Sequence, residues 1–106
     1  MLFRSYVPHL GARICFMERD GFQLELFQYD EPKPLPEDRW MPNIDLQTIG
    51  TKHMCFWVDD MAAVRARLVA NGVDIALEEN MGTDQVMFIS DPDGVLIELI
   101  HQYRPV

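Results

Sequence analysis

Apolar and polar positions alternate along most of this chain, and the departures from alternation mark its remaining elements. Strand side chains point to opposite faces in turn. Residues 22–29 therefore read as a strand with Gln23, Glu25, Phe27 and Tyr29 on one face and Leu24 and Leu26 on the other. Residues 2–7, 13–18, 51–58, 73–77, 85–89 and 95–102 are predicted as further strands. Pro8 and Gly11 break the first two apart, and Arg19-Asp20-Gly21 is a hairpin turn. One stretch has helical period instead. Met61, Val64 and Leu68 recur at i, i+3 and i+7, with Asp59 or Asp60 as cap and Gly72 past the end. Residues 78–83 are predicted as a loop. Residues 31–50 hold Pro32, Pro34, Pro36 and Pro42 and little periodicity, so they are predicted to be an extended, irregular linker. The order is β-β-β over residues 1–30 and β-α-β-β-β over 51–106, an α+β chain.

The two halves share a repeat. Gly21-Phe22-Gln23-Leu24-Glu25-Leu26-Phe27-Gln28 aligns with Gly94-Val95-Leu96-Ile97-Glu98-Leu99-Ile100-His101. Each copy follows an apolar segment, Ile14-Cys15-Phe16-Met17 or Val86-Met87-Phe88-Ile89, and one gap at Pro92 brings them into line. Such self-similarity marks a duplicated unit, here a hairpin whose second strand carries a carboxylate among aliphatic residues. A charge buried there is costly unless it is compensated. Glu98 alone suits the wet side of a half-buried strand as well as it suits a metal ligand; the second copy, at Glu25, favours the ligand.

Composition narrows the class. The chain has 106 residues, 48% of them hydrophobic, enough for one domain with a core. No apolar run approaches the roughly 20 residues of a membrane span. The N-terminal stretch lacks the pattern of a signal peptide. Cys15 and Cys55 lie within apolar strands and read as reduced core residues of a cytoplasmic protein, with a bridge as the alternative. The net charge of −8 argues against a nucleic-acid partner, which needs a basic face, and suits the capture of a divalent cation.

With these pieces in place, the sequence resembles the vicinal oxygen chelate superfamily of glyoxalase I, methylmalonyl-CoA epimerase, extradiol dioxygenases, and fosfomycin and bleomycin resistance proteins. The residues that carry the resemblance are Leu24-Glu25-Leu26, Gly50-Thr51-Lys52-His53 opening a strand, Val58-Asp59-Asp60 entering a helix, and Asp91-Pro92-Asp93-Gly94 leading to Ile97-Glu98-Leu99. The resemblance implies paired βαβββ modules whose mostly antiparallel sheets form an open, barrel-like cavity around a divalent metal. It implies Glu25, His53 and Glu98 as metal ligands, an imidazole and carboxylate set that suits Zn, Ni, Mn or Fe. His53 precedes Glu98 by 45 positions, and the corresponding partner of Glu25 would fall before residue 1. The first module is thus expected to lack its first strand, its helix and its metal ligand. His9 is a poor substitute in its turn, and His101 should face away from the site.

By this resemblance the expected function is a glyoxalase I-like lyase or isomerase. It would act on a small carbonyl or thioester compound through an enediolate, with Glu98 or Glu25 as the catalytic base. The alternatives are a metal-free binding protein of the bleomycin-resistance type and an extradiol-type dioxygenase. Phe27, Trp40, Cys55 and Trp57 are the expected pocket residues. For Cys55 and Trp57 plain core packing is the competing role, and Trp40 with Met41 serves equally to pin the linker. A face left without its helix and an edge left without its strand would favour a homodimer.

Overall fold

The structure is a computed structural model that describes residues 2–81 and 84–101 of the chain. It divides into two compact units, residues 1–34 and 35–106.

The first unit is an antiparallel meander of β1 (Leu2–Val7), β2 (Ala12–Arg19) and β3 (Phe22–Tyr29) in that order. Asp20 and Gly21 both have positive φ, 51° and 78°, which matches the twist of a two-residue hairpin turn between β2 and β3. Glu25 stands opposite Phe16 in the β2–β3 ladder.

The second unit runs β4 (Met54–Trp57), α2 (Met61–Ala70), β5 (Asp74–Met81), β6 (Asp84–Ser90) and β7 (Leu96–His101), after a 3-10 turn at Glu37–Trp40 and a short helix α1 (Pro42–Gln47). Its sheet has the order β4-β7-β6-β5, with β4 parallel to β7 and the other neighbours antiparallel. Helix α2 connects the parallel strand to the three-stranded antiparallel part. The carboxylate of Asp60 accepts the N–H of Ala63 at 3.0 Å and so supplies one of the donors a helix start leaves open. At the far end Gly72 takes φ +69°; its N–H meets the Val69 carbonyl while that of Val73 meets Leu68, a Schellman closure.

Alternation then sorts the sheet's two faces. Met87, Leu99 and Met61 form the buried centre beneath α2, with Val64, Leu68, Ile75, Ile89 and Ile97 packed around them. The other face of β7 carries Leu96, Glu98 and Ile100.

Three expectations need correction. The linker is not irregular, because residues 37–40 and 42–47 are helical; Pro42 sits at the first helical position, where a missing N–H costs nothing. The predicted loop at 78–83 is largely strand, since β5 continues to Met81 against β6; residues 82 and 83 lie outside the described residues. The strand expected from residue 51 begins only at Met54. Gln102, the expected end of the last strand, also lies outside the described residues.

Candidate metal centre

Two neighbouring strands bring His53 and Glu98 together. β4 and β7 pair in parallel with Cys55 beside Glu98. His53 lies just ahead of β4, two residues before Cys55 and so on the same side. Its Nε2 is 2.9 Å from Glu98 Oε1. The two side chains are 22% and 20% exposed, so the pair is partly withdrawn from water without being sealed from it. An ionised carboxylate only accepts hydrogen bonds. With the carboxylate as acceptor, the bond is made by the tautomer that carries its proton on His53 Nε2.

The ring is fixed on a second side. Phe88 stands opposite Glu98 on β6, and its ring meets the imidazole edge-on at a centroid distance of 5.0 Å. The repeat thus extends across the ladder: each carboxylate has a Phe opposite it, Phe16 for Glu25 and Phe88 for Glu98. His53 Nδ1 is buried and has no hydrogen-bond partner among the described residues.

The other expected site residues are distributed as follows. Glu25 is exposed on β3 of the first unit. Phe27 lies on the same strand, stacked on Tyr29 at 6.1 Å. Cys55 and Trp57 alternate with Phe56 and follow His53 on its side of β4; Trp57 is 56% exposed. The Cys55 thiol is pushed up from its ordinary value by burial first and by the charge of Glu98 second. Cys55 as a whole is exposed, so the burial is partial. Trp40 packs on Gly94. His9 lies in the turn between β1 and β2, and His101 faces the other way, with Nδ1 2.8 Å from the Val58 carbonyl. Among the described residues, no group of three or more His, Cys, Asp and Glu side chains is gathered in the manner of an ion's ligands.

One cluster escaped the sequence reading. Asp45 is 2% exposed and pairs with Arg39 and, at 3.7 Å, with Lys52. A proline-rich, aperiodic stretch gives no sign that one of its acids is buried.

A sequence profile of the glyoxalase/bleomycin resistance protein/dioxygenase superfamily matches residues 2–99. The chain belongs to that superfamily. Within it, a lactoylglutathione lyase of Pseudomonas aeruginosa is 39% identical over 51 residues, 48% of this chain and 29% of its own length. The chain thus spans well under half of that curated relative. A glyoxalase family protein from Enterococcus faecalis superposes with a TM-score of 0.75 at 21% identity, over 92% of this chain and 74% of the other. A glyoxalase I variant from Zea mays does so with a TM-score of 0.70 at 23% identity, over 93% of this chain and 34% of the other. At such identities the likeness is one of fold. Expectation and finding agree on the superfamily and on an α+β chain of mostly antiparallel sheets.

Proposed function

We propose that this glyoxalase-superfamily chain contributes to a metal-dependent lyase or isomerase site that acts on a small carbonyl or thioester compound through an enediolate. The observation that carries the reading is the His53–Glu98 pair. Its Nε2 and Oε1, 2.9 Å apart, are an imidazole nitrogen and a carboxylate oxygen brought to one place, the donor types a divalent ion takes. The imidazole and carboxylate chemistry fits Zn, Ni, Mn or Fe. His53 and Glu98 would hold the ion, with Glu25 as the further proposed ligand. A divalent ion bound there would polarise the paired oxygens of the substrate and stabilise negative charge developing on them.

The rest is the work of the chain's own groups. Glu98 would take and return a proton, and Glu25 is the second candidate for that role. To hold an ion, His53 would present an Nε2 free of its proton. Cys55, Trp57, Trp40 and Phe27 are the proposed pocket residues. We further propose a cytoplasmic homodimer. Among the described residues no helix is long and apolar enough to cross a membrane.

The test is elemental analysis of purified protein. The expected result is stoichiometric divalent metal in the wild type and a loss of at least tenfold in affinity in His53→Ala and Glu98→Gln. Metal content unchanged in His53→Ala would sink the assignment. Hemithioacetals, acyl-CoA thioesters and catechols, offered with Ni²⁺, Zn²⁺, Mn²⁺ or Fe²⁺, then sort the reaction class; turnover of catechols alone points to a dioxygenase. A second reading, metal-free small-molecule binding, draws on the half-exposed Trp57 beside a His53–Glu98 pair already joined by its own hydrogen bond. A metal-free protein that binds aromatic ligands and quenches its tryptophan fluorescence would favour it.

A further inference from the structure

The connector between the two halves touches both of the chain segments that carry the His53–Glu98 pair. On one side, Asp45 of α1 is almost wholly buried between two cations, Arg39 and Lys52. The Lys52 side chain is only 12% exposed, and it is the residue immediately before His53. On the other side, the ring of Trp40 lies against Gly94. A Cβ added at Gly94 would come within 2.7 Å of that ring, so the packing depends on the bare glycine. Gly94 is also at φ +89°, a conformation other residues rarely adopt. It closes the Asp91-Pro92-Asp93-Gly94 turn, in which Asp91 Oδ1 accepts the N–H groups of Asp93 and Val95, and the turn leads into β7 and Glu98.

A strand end held by its own ladder alone is free to fray. His53 stands just ahead of β4, beyond the paired residues of the strand, so contacts outside the sheet help to place it. We propose that Asp45 and Trp40 are positioning residues: the connector clamps the segments bearing His53 and Glu98 and sets the distance between the two side chains. This rests on the metal-site reading above for its purpose, but the clamp itself is observable without metal. An outer group that orients a ligand typically changes metal affinity by 10- to 100-fold when it is removed.

The experiment uses the full chain, wild type and three variants, Asp45→Asn, Trp40→Ala and Lys52→Arg. With chelator present, long-range proton–nitrogen spectra of the imidazoles report the tautomer of His53. The wild type and Lys52→Arg are expected to show His53 protonated at Nε2 alone. Asp45→Asn and Trp40→Ala are expected to shift it toward a mixture, as the bond to Glu98 is made only part of the time. Titration with Co²⁺ should then show at least a tenfold loss of affinity in those two variants. If their melting temperatures fall while the His53 spectrum stays that of the wild type, the connector is structural only and the proposal is overturned. Should Asp45→Asn fail to fold, Trp40→Ala decides, because that side chain is half-exposed. A wild type that binds no Co²⁺ sinks the metal reading, and the tautomer spectra still decide the clamp.

Discussion

Glu98 acts on its surroundings before any ligand arrives, and Cys55 is where the effect can be measured. The two residues are register partners in neighbouring strands. Partial burial raises the thiol above its ordinary value, and the Glu98 carboxylate raises it further. A raised thiol holds less thiolate at any given pH, and thiolate is the reactive form. Cys55 should therefore alkylate with iodoacetamide at pH 8 more slowly than an ordinary exposed cysteine, although it is itself exposed. Glu98→Gln removes the smaller of the two causes, so the rate should rise by a factor of a few without reaching the unperturbed value. Peptide mapping after timed alkylation separates Cys55 from Cys15. A rate indifferent to Glu98→Gln would mean that the carboxylate is not charged where the structure places it.

At the scale of elements, what the sequence disclosed depended on periodicity and punctuation. The Glu-bearing hairpins, the apolar stripe of α2 and the faces of β7 were legible because strand alternation, helical spacing and glycine turns are written in residue types. Residues 37–47 were not. Their helices are short, and α1 is held by an ion cluster around Asp45 and by the packing of Trp40, contacts that leave no period in the sequence. Glu78 to Met81 misled for the opposite reason. Their polar character suggests a loop, yet they form the outer strand of the sheet, where one side faces water and strong charges are tolerated. Glu78 there meets Arg65 of α2 at 2.7 Å, an exposed pair of the kind that contributes little on its own. The meeting of His53 and Glu98 was legible, while the contact of Lys52 with the buried Asp45 was not. The cap of α2 was legible too, and it gives an element-scale prediction. Asp60→Ala leaves the N–H of Ala63 without its acceptor and should lower unfolding free energy by about 1 kcal/mol. Asp60→Ser, which restores an acceptor, should recover most of the loss. Equal destabilisation by both variants would show that Asp60 acts through its charge or through packing and not as a cap.

The whole molecule is marked by apolar surface on its first unit. Tyr6, Met17, Phe22, Leu26, Phe27 and Tyr29 are each between 45% and 52% exposed, and all lie in one three-stranded sheet. The ladder sorts them by face. Met17 stands opposite Leu24 and Cys15 opposite Leu26, so these share a face with Phe22, while Phe27 and Tyr29 share the other with Ile14. The first face thus gathers Tyr6, Met17, Phe22 and Leu26, and monomeric proteins seldom leave large contiguous apolar area in water. Burial returns roughly 25 cal/mol per Å², so covering the exposed halves of several such side chains is worth several kcal/mol, comparable with the whole stability of a small domain. A second copy of the chain would meet the same patch with its own, and closed two-fold pairing is the commonest soluble assembly. The expectation is a dimer at micromolar concentration in sedimentation velocity. Leu26→Lys, which puts a charge into the Met17–Leu24 face, should shift the equilibrium to monomer and lower the melting temperature. The concentration dependence of melting supplies an independent reading, because a dimer unfolds at higher temperature as it is concentrated and a monomer does not. A wild type that sediments as a monomer and melts cooperatively at one temperature across a hundredfold range of concentration would show that this sheet is stable in water as it stands.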